Sequence, residues 1–396
     1  MNAYQVMLGL MLVCAIPARA QPKFPPVLTA CSAFALDGTS VTAGVTSGSL
    51  SLSLKNPSGK ESTLTLSLRY QPDQSQVDRP SVRWRVHDCS LFFNHSSNLL
   101  AVGITTGFPI VLKLQVAVAD LKTLSWLSDF GVEQSPGPNG AVKLVGFLQD
   151  TDSIVVTEAR HTNEIGSVST LLFDPRGKQL SAEPAVRSWQ EPLLPFYADA
   201  TSNRLWLFHC VMVSARLSKQ PSCPITVTNL VTDGGFNATF DPSHYDANRT
   251  HLWMTPATFA SPDPNTILIS ESVGGDDTVW RVDIQKQTLD RFVLPEHHFL
   301  KYNAMHDGVL SPDRKVCALL RSQYKIAFPY MVDNYIYKGD DVVVIQVMPL
   351  RLLGIVPYRG ANFTRGLAVD HRNGRATVLV YQQDRWEHYD FNDIEP

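Results

Sequence analysis

The stretch that decides the fold is GVLSPDRKVCALLRS, from Gly308 to Ser322. It holds a short apolar run, a Ser-Pro-Asp turn and a second apolar run, which is the pattern of a β-hairpin. Similar stretches recur along the chain. They are ASPDPNTILIS from Ala260, LQDTDSIVVTE from Leu148, ADATSNRLWLF from Ala198, and the looser FNHSSNLLAVG from Phe93 and AVDHRNGRATVLV from Ala368. The hairpin is therefore one copy of a repeat.

The copies follow each other at a regular distance. Their second apolar runs start at Leu99, Ile154, Leu205, Ile267, Val316 and Ala376, and a seventh start falls near Val41 in ALDGTSVTAGV. A period of about 55 residues with units of β type is typical of a β-propeller, in which each blade is a four-stranded sheet. The sequence therefore predicts an all-β, seven-bladed propeller with four-stranded antiparallel blades. Six or eight blades are the alternative.

Two copies carry a resemblance to a known group. LSPDRKVCALL and ASPDPNTILIS resemble the Ser-Pro-Asp-Gly-x-x-apolar signature of the TolB, YVTN and WD40-like propeller superfamily. The chain departs from this signature because Arg314 or Pro264 stands where glycine is usual, and no regular Trp-Asp dipeptide occurs. The resemblance implies the fold. Members range from binding scaffolds to enzymes, so it implies no single function.

The outer strands of the blades have their own pattern. The pattern appears in runs such as VAVADLKTLSWL from Val116 and TLLFDPRGKQL from Thr170. Each run predicts a strand, a turn that begins with aspartate, and a second strand, as expected for the third and fourth strands of a blade. The last copy has room after Ala376 for its second and third strands only. We therefore expect the segment from Lys23 to Leu28 to supply the missing outer strand and close the ring, which removes an exposed sheet edge.

The N-terminus predicts export. An apolar run from Val6 to Ile16 is followed by Ala18-Arg19-Ala20, the pattern of a signal peptide and its cleavage site. We expect residues 1–20 to be the signal and residues 21–396 to form a single propeller domain that is secreted or periplasmic, monomeric and without a transmembrane segment. The alternative is an apolar N-terminal strand. The run is too short to span a bilayer as a helix.

Charge excludes one class of partner. The formal net charge is −3, the pI is about 6.4, and no block of like charges occurs. Binding of nucleic acid needs a basic face, which this sequence does not provide. We therefore expect no nucleic-acid partner.

Cysteine spacing predicts two disulfides. Cys210 and Cys223 flank a hairpin loop, and they are the first candidate pair. Cys31 and Cys89 each lie ten residues before the start of a second apolar run, so they occupy equivalent positions on the innermost strands of adjacent blades. Cys317 is then expected to be a buried strand thiol. Free buried cysteine is the alternative for both pairs, and the absence of a Cys-x-x-Cys motif argues against a zinc knuckle.

The fold predicts where chemistry would lie. The connections from second to third strands and those between blades share one end of the strands, around the mouth of the central channel, and we call this end the channel-mouth face. The candidate ligand-binding residues on it are Arg160, His161, Glu271, Asp277, His297, His298, His306, Arg321 and Tyr324.

A divalent metal is one interpretation of these residues. His297, His298 and His306 with Glu271 or Asp277 offer the imidazole and carboxylate ligands that zinc prefers, and GGDD at 274–277 offers carboxylates to calcium. Turns and hairpins need the same residue types, so a structural role is the alternative. The sequence indicates no cofactor beyond such a metal.

Two functions remain from different classes. The first is a non-catalytic exported propeller that binds a protein, peptide or glycan on its channel-mouth face. The alternative is a small-molecule enzyme of propeller type, such as a lactonase or another metal-assisted hydrolase. The sequence contains no convincing catalytic set and no Gly-x-Ser-x-Gly elbow, which favours binding.

Overall fold

The computed structural model describes most of the chain after residue 28. The described residues are 29–46, 48–70, 85–94, 96–108, 111–133, 141–148, 151–161, 166–180, 185–189, 197–201, 204–210, 223–229, 235–240, 258–263, 266–273, 276–283, 286, 288–293, 301–326, 335–358 and 366–392. Within these ranges the regular secondary structure is entirely β, with 27 strands. No helix that is long and apolar enough to cross a membrane occurs in this part of the chain.

The strands form seven sheets among the described residues, and we number them I to VII in chain order. Sheet I contains β1 (Thr29–Phe34), β2 (Ser40–Val45), β3 (Ser49–Lys55) and β4 (Glu61–Ser67). Sheet II contains β5 (Arg85–Asn94), β6 (Leu99–Phe108), β7 (Val111–Asp120) and β8 (Ser125–Glu133). Sheet III contains β9 (Ala141–Leu148), β10 (Ser153–His161), β11 (Gly166–Phe173) and β12 (Ala185–Trp189). Sheet IV contains β13 (Tyr197–Thr201), β14 (Arg204–Cys210), β15 (Cys223–Asn229) and β16 (Gly235–Phe240).

The remaining three sheets follow the same plan. Sheet V contains β17 (Thr258–Asp263), β18 (Thr266–Val273), β19 (Asp276–Asp283) and β20 (Thr288–Val293). Sheet VI contains β21 (Lys301–Leu310), β22 (Val316–Ile326), β23 (Tyr335–Gln346) and β24 (Arg351–Tyr358). Sheet VII contains β25 (Leu367–Arg372), β26 (Arg375–Gln382) and β27 (Arg385–Phe391). Strands that are neighbours in a sheet are consecutive in the chain and antiparallel, so the chain has a β-propeller architecture.

The predicted repeat coincides with these sheets. Each predicted start of a second apolar run is the first or second residue of the second strand of a sheet, from β2 through β26. In the described turns before β2, β6, β10 and β22, one residue lies in the left-handed region, and at Arg314 its φ is 61°. Glycine adopts this conformation at lower cost, which explains why the signature has glycine at this position. Here the turn is held by Ser311, whose hydroxyl accepts a bond from the Val316 amide over 3.0 Å and donates to Asp313 over 2.6 Å.

Apolar side chains pack between sheets as well as within them. Because strand side chains alternate between two faces, β2 and β3 turn one apolar row toward sheet II, where it meets residues of β6. That cluster includes Val41, Val45, Leu50, Leu52, Leu100, Val102 and Ile104. Further clusters join sheets II and III, sheets V and VI, and sheets VI and VII. Face-to-face packing of this kind is what holds propeller blades together.

The first strands of the seven sheets contact one another. They contact each other in the order β1, β5, β9, β13, β17, β21 and β25, and β25 contacts β1. Sheet VII has three strands among the described residues, and the segment from Lys23 to Leu28 that we expect as its fourth strand lies outside them. The expectation of N-terminal closure therefore stays a prediction.

Candidate functional site

Most of the described candidate residues lie toward one end of their strands, and His306 and Arg321 lie near the middle of theirs. Because consecutive strands are antiparallel, the ends of second strands and the starts of third strands lie on the channel-mouth face. The backbone is described at seven of the nine candidates, which are Arg160 and His161 in β10, Glu271 in β18, Asp277 in β19, His306 in β21, and Arg321 and Tyr324 in β22. His297 and His298 lie outside the described residues.

Arg321 is buried in an ion pair. Its side chain is 3% exposed, and that of Asp341 on the adjacent β23 is 7% exposed. The guanidinium donates from Nε to Oδ1 of Asp341 over 2.8 Å and from Nη2 to Oδ2 over 2.6 Å. This two-point geometry is the one in which arginine binds a carboxylate most strongly. The pair favours a structural role for Arg321 over contact with a ligand.

His306 lies in an irregular part of the innermost strand. Met305 is opposite Arg321 and Gly308 is opposite Leu319, so His306 and Asp307 together face one residue of β22. A bulge of this kind re-aims side chains and interrupts the alternation along the strand. In the part of the chain that the structure describes, no group of three His, Cys, Asp or Glu side chains is placed to hold a metal ion. The metal interpretation stays a prediction.

Glu271 and Asp277 belong to a tight hairpin. Val273 is paired with Asp276, Ser272 with Asp277 and Glu271 with Thr278 across β18 and β19. Only residues 274–275 separate the two strands. A connection of this length is the ordinary place for a Gly-Gly dipeptide, which agrees with the hairpin alternative for this sequence.

Gln115 shows what buried polar groups do on the channel-mouth face. Its side chain is 1% exposed. The amide oxygen accepts a bond from the Arg69 backbone N–H over 2.8 Å, and its nitrogen donates to Asp129 over 2.8 Å and to the Ser67 carbonyl over 3.3 Å. Ser67 and Arg69 leave β4 toward the next sheet. Gln115 therefore fixes the start of an inter-sheet connection, a role that sequence reasoning missed because the contacts span 46 and 48 residues.

The opposite end of the strands, which we call the turn face, holds polar contacts between sheets. Asp313 in the Ser-Pro-Asp turn of sheet VI accepts a bond from His371 Nδ1 of sheet VII over 2.6 Å. Arg372 donates to the Asp37 carbonyl of sheet I over 2.9 Å and to Asp370 over 2.7 Å. Burial raises the pKa of the Asp370 carboxyl, and the adjacent Arg372 opposes this rise. These residues connect neighbouring sheets, so the turn motif is structural.

The cysteine predictions have different outcomes. Cys31 in β1 and Cys89 in β5 form a disulfide with Cα atoms 5.6 Å apart, which confirms this pair. Cys317 is a buried free thiol, as expected, and burial raises its pKa to about 12. Cys210 is paired in register with Ile225, two residues from Cys223. The second disulfide therefore stays a prediction.

Comparisons with known proteins find similarity only to solved structures, and that similarity is low. No family model matches the chain, and no curated protein matches it. Among solved structures, the Dos1 propeller is 15% identical with a TM-score of 0.39 over 90% of this chain and 82% of that one. A member of the DUF4221 family from Bacteroides vulgatus is 10% identical with a TM-score of 0.45, over 78% of this chain and 99% of that one. A protein from Lactobacillus plantarum is 11% identical with a TM-score of 0.38, over 92% and 96%.

Proposed function

We propose that the chain is an exported, non-catalytic β-propeller whose channel-mouth face binds a protein, peptide or glycan. We further propose that the seven sheets are the blades of one closed ring. Contact between β25 and β1, and the bond from Arg372 to the Asp37 carbonyl, support closure. The Cys31–Cys89 disulfide fits an oxidising compartment and so supports export.

The observation that carries the binding proposal is the unequal length of the connections. On the channel-mouth face, strands are joined by segments as long as residues 68–84, 211–222, 241–257 and 327–334. On the turn face, the connections are two to five residues long, except for residues 174–184. Binding residues concentrate on loops that a rigid scaffold positions. The face with the long connections is therefore the proposed binding face.

The residue types on this face also favour binding of a ligand. Arg160, His161, Glu271, Asp277 and Tyr324, from sheets III, V and VI, fall at or near the same strand ends. Such a mixture suits a ligand with several hydrogen-bonding groups. Arg321 is the exception, since its guanidinium is engaged by Asp341.

A paired set of variants tests the proposal. The first variant replaces residues 211–222 with an Asn-Gly turn and so shortens the channel-mouth face. The control, Leu36→Ser with Met348→Ser, alters exposed apolar side chains in turns on the opposite face. The purified full chain is screened on peptide and glycan arrays, and hits are measured by calorimetry.

The binding proposal expects at least one ligand class whose affinity falls in the shortened variant and is kept in the control. Loss of binding in the control alone would contradict it. So would a retained metal ion together with hydrolysis of a lactone that a chelator abolishes, because that result supports the enzyme alternative. Absence of any array hit also counts against binding of these ligand classes.

A further inference from the structure

Sheet I has two faces of opposite chemistry. One face packs against sheet II through Leu50, Leu52 and their neighbours, which are fully buried. The alternate positions on β2 to β4 carry hydroxyl groups or glycine, except for the Lys55–Glu61 pair at one end. Register aligns them across the strands in the rows Gly44–Ser51–Thr65 and Thr42–Ser53–Thr63. The sequence signal is the alternation of Ser or Thr with Leu in residues 49–67, which the search for repeats did not use.

The hydroxyl face is turned toward sheet VII. β1 contacts β25 and β26, and Arg372 reaches the Asp37 carbonyl. Apolar clusters fill the interface of sheet I with sheet II and that of sheet VII with sheet VI. None of the clusters formed by described residues joins sheet VII to sheet I. The outer part of this wedge is open, because Ser51, Thr63 and Thr65 are exposed.

Sheet VII presents an aromatic pair on its side of the wedge. Val378 and Val380 pack toward sheet VI, so Tyr381 lies on the other face, and Trp386 is its partner across β27. The two ring centres are 5.1 Å apart. A Cβ atom at Gly366 would lie 2.2 Å from the Tyr381 Cβ and 3.1 Å from the Trp386 ring. Glycine at this position therefore makes room for the aromatic pair.

A buried hydroxyl lies at the base of the wedge. Ser32 in β1 is paired with Thr42 and so belongs to one of the hydroxyl rows. Its side chain is 8% exposed, and its Oγ has no hydrogen-bond partner within the described structure. Burying a hydroxyl without a hydrogen-bond partner is unfavourable. A group that enters the wedge and bonds to Ser32 would recover part of this cost.

We propose that the wedge between sheets VII and I binds a neutral carbohydrate chain. Serine and threonine hydroxyls both donate and accept hydrogen bonds, which matches the hydroxyls of a sugar. The Tyr381–Trp386 pair offers an apolar surface with polar tips, on which the C–H face of a sugar ring packs. Charges on the rim occur as opposite pairs, Lys55 with Glu61 and Arg375 with Asp390, which favours a ligand without net charge. The aromatic pair lies at the channel-mouth end of sheet VII, so this site adjoins the proposed binding face, but it is formed by the surfaces of two sheets and not by the long connections.

The test uses the full chain, with cellohexaose and maltohexaose as probes. Binding of at least one probe is measured by calorimetry and by tryptophan emission. Thr63→Val with Thr65→Val removes two exposed hydroxyls without changing side-chain shape, and we expect a loss of about tenfold in affinity, since two hydrogen bonds to the sugar are lost. Thr123→Val in an exposed turn of sheet II is the matched control, with unchanged affinity. Trp386→Ala should abolish the change in emission.

Several results would overturn the proposal. They are absence of binding to both probes, equal affinity in the threonine variant and the control, and an emission change that survives Trp386→Ala. Sugar binding that persists after residues 211–222 are shortened separates this site from the channel-mouth site.

Discussion

The buried Arg321–Asp341 pair gives the sharpest prediction. Both side chains are almost fully buried, and two short bonds join them. Replacing Asp341 with leucine removes the carboxylate that accepts those bonds, while the positive charge stays in a low-dielectric interior. Breaking a buried pair in this way costs about 3 to 5 kcal/mol of unfolding free energy. We therefore expect Asp341→Leu to destabilise the protein by that amount in urea unfolding.

The double variant Arg321→Met with Asp341→Leu distinguishes the cost of an unpaired charge from the cost of losing the ion pair itself. Since both charges then leave the interior together, we expect stability within about 1 kcal/mol of the wild type, or a gain. Glu61→Gln breaks the exposed Lys55–Glu61 pair, and as a control it should cost less than about 1 kcal/mol. If Asp341→Leu costs no more than this control, Arg321 is accessible, and the structural role assigned to it is wrong.

Three further predictions concern the rest of the fold. Replacing Cys31 and Cys89 with serine opens a loop with a sequence separation of 58 residues, so urea unfolding should show a loss of about 4 kcal/mol, and no loss would mean that the pair is reduced in the folded protein. Hydrogen bonds from Tyr389, Arg385 and Gln382 lower the pKa of Glu387 to about 2. The ionised carboxylate therefore stabilises the folded protein above its ordinary pKa, and this stabilisation is lost as pH falls toward 2. Glu387→Gln should flatten the acid dependence of the unfolding free energy, and an unchanged dependence would contradict these hydrogen bonds. Arg314 has a positive φ, which glycine adopts at lower cost. Arg314→Gly should therefore raise the unfolding free energy by up to about 1 kcal/mol. A lower melting temperature would count against strain at this turn.

The repeat was readable from the sequence because its signals are local. Each copy consists of a turn and the apolar runs on either side, which lie within about a dozen residues. The positions of β6, β22 and their counterparts therefore follow from the local sequence pattern. The Cys31–Cys89 pair was predictable for a related reason. Both cysteines keep the same distance from their turns, so the repeat brings them to equivalent positions on adjacent sheets.

The candidate site was less predictable, because its contacts join distant parts of the chain. Arg321 and Asp341 are 20 residues apart and meet through the register of a long hairpin. Gln115 contacts the connection that leaves another sheet. Such partners depend on register and on packing between sheets, and neither leaves a pattern in one short window.

The sequence by itself determined the strand content and the repeat, because backbone preference, turn chemistry and side-chain alternation act over short distances, and it made Cys31 and Cys89 a candidate pair. Only the tertiary structure decided which polar residues are structural. Arg321 and Asp313 are drawn to partners 20 and 58 residues away, since burial leaves a charged or polar group stable only where a partner is present. The same packing brings β1 of the first sheet against β25 and β26 of the last sheet, and the bond from Arg372 to the Asp37 carbonyl spans 335 residues of the chain.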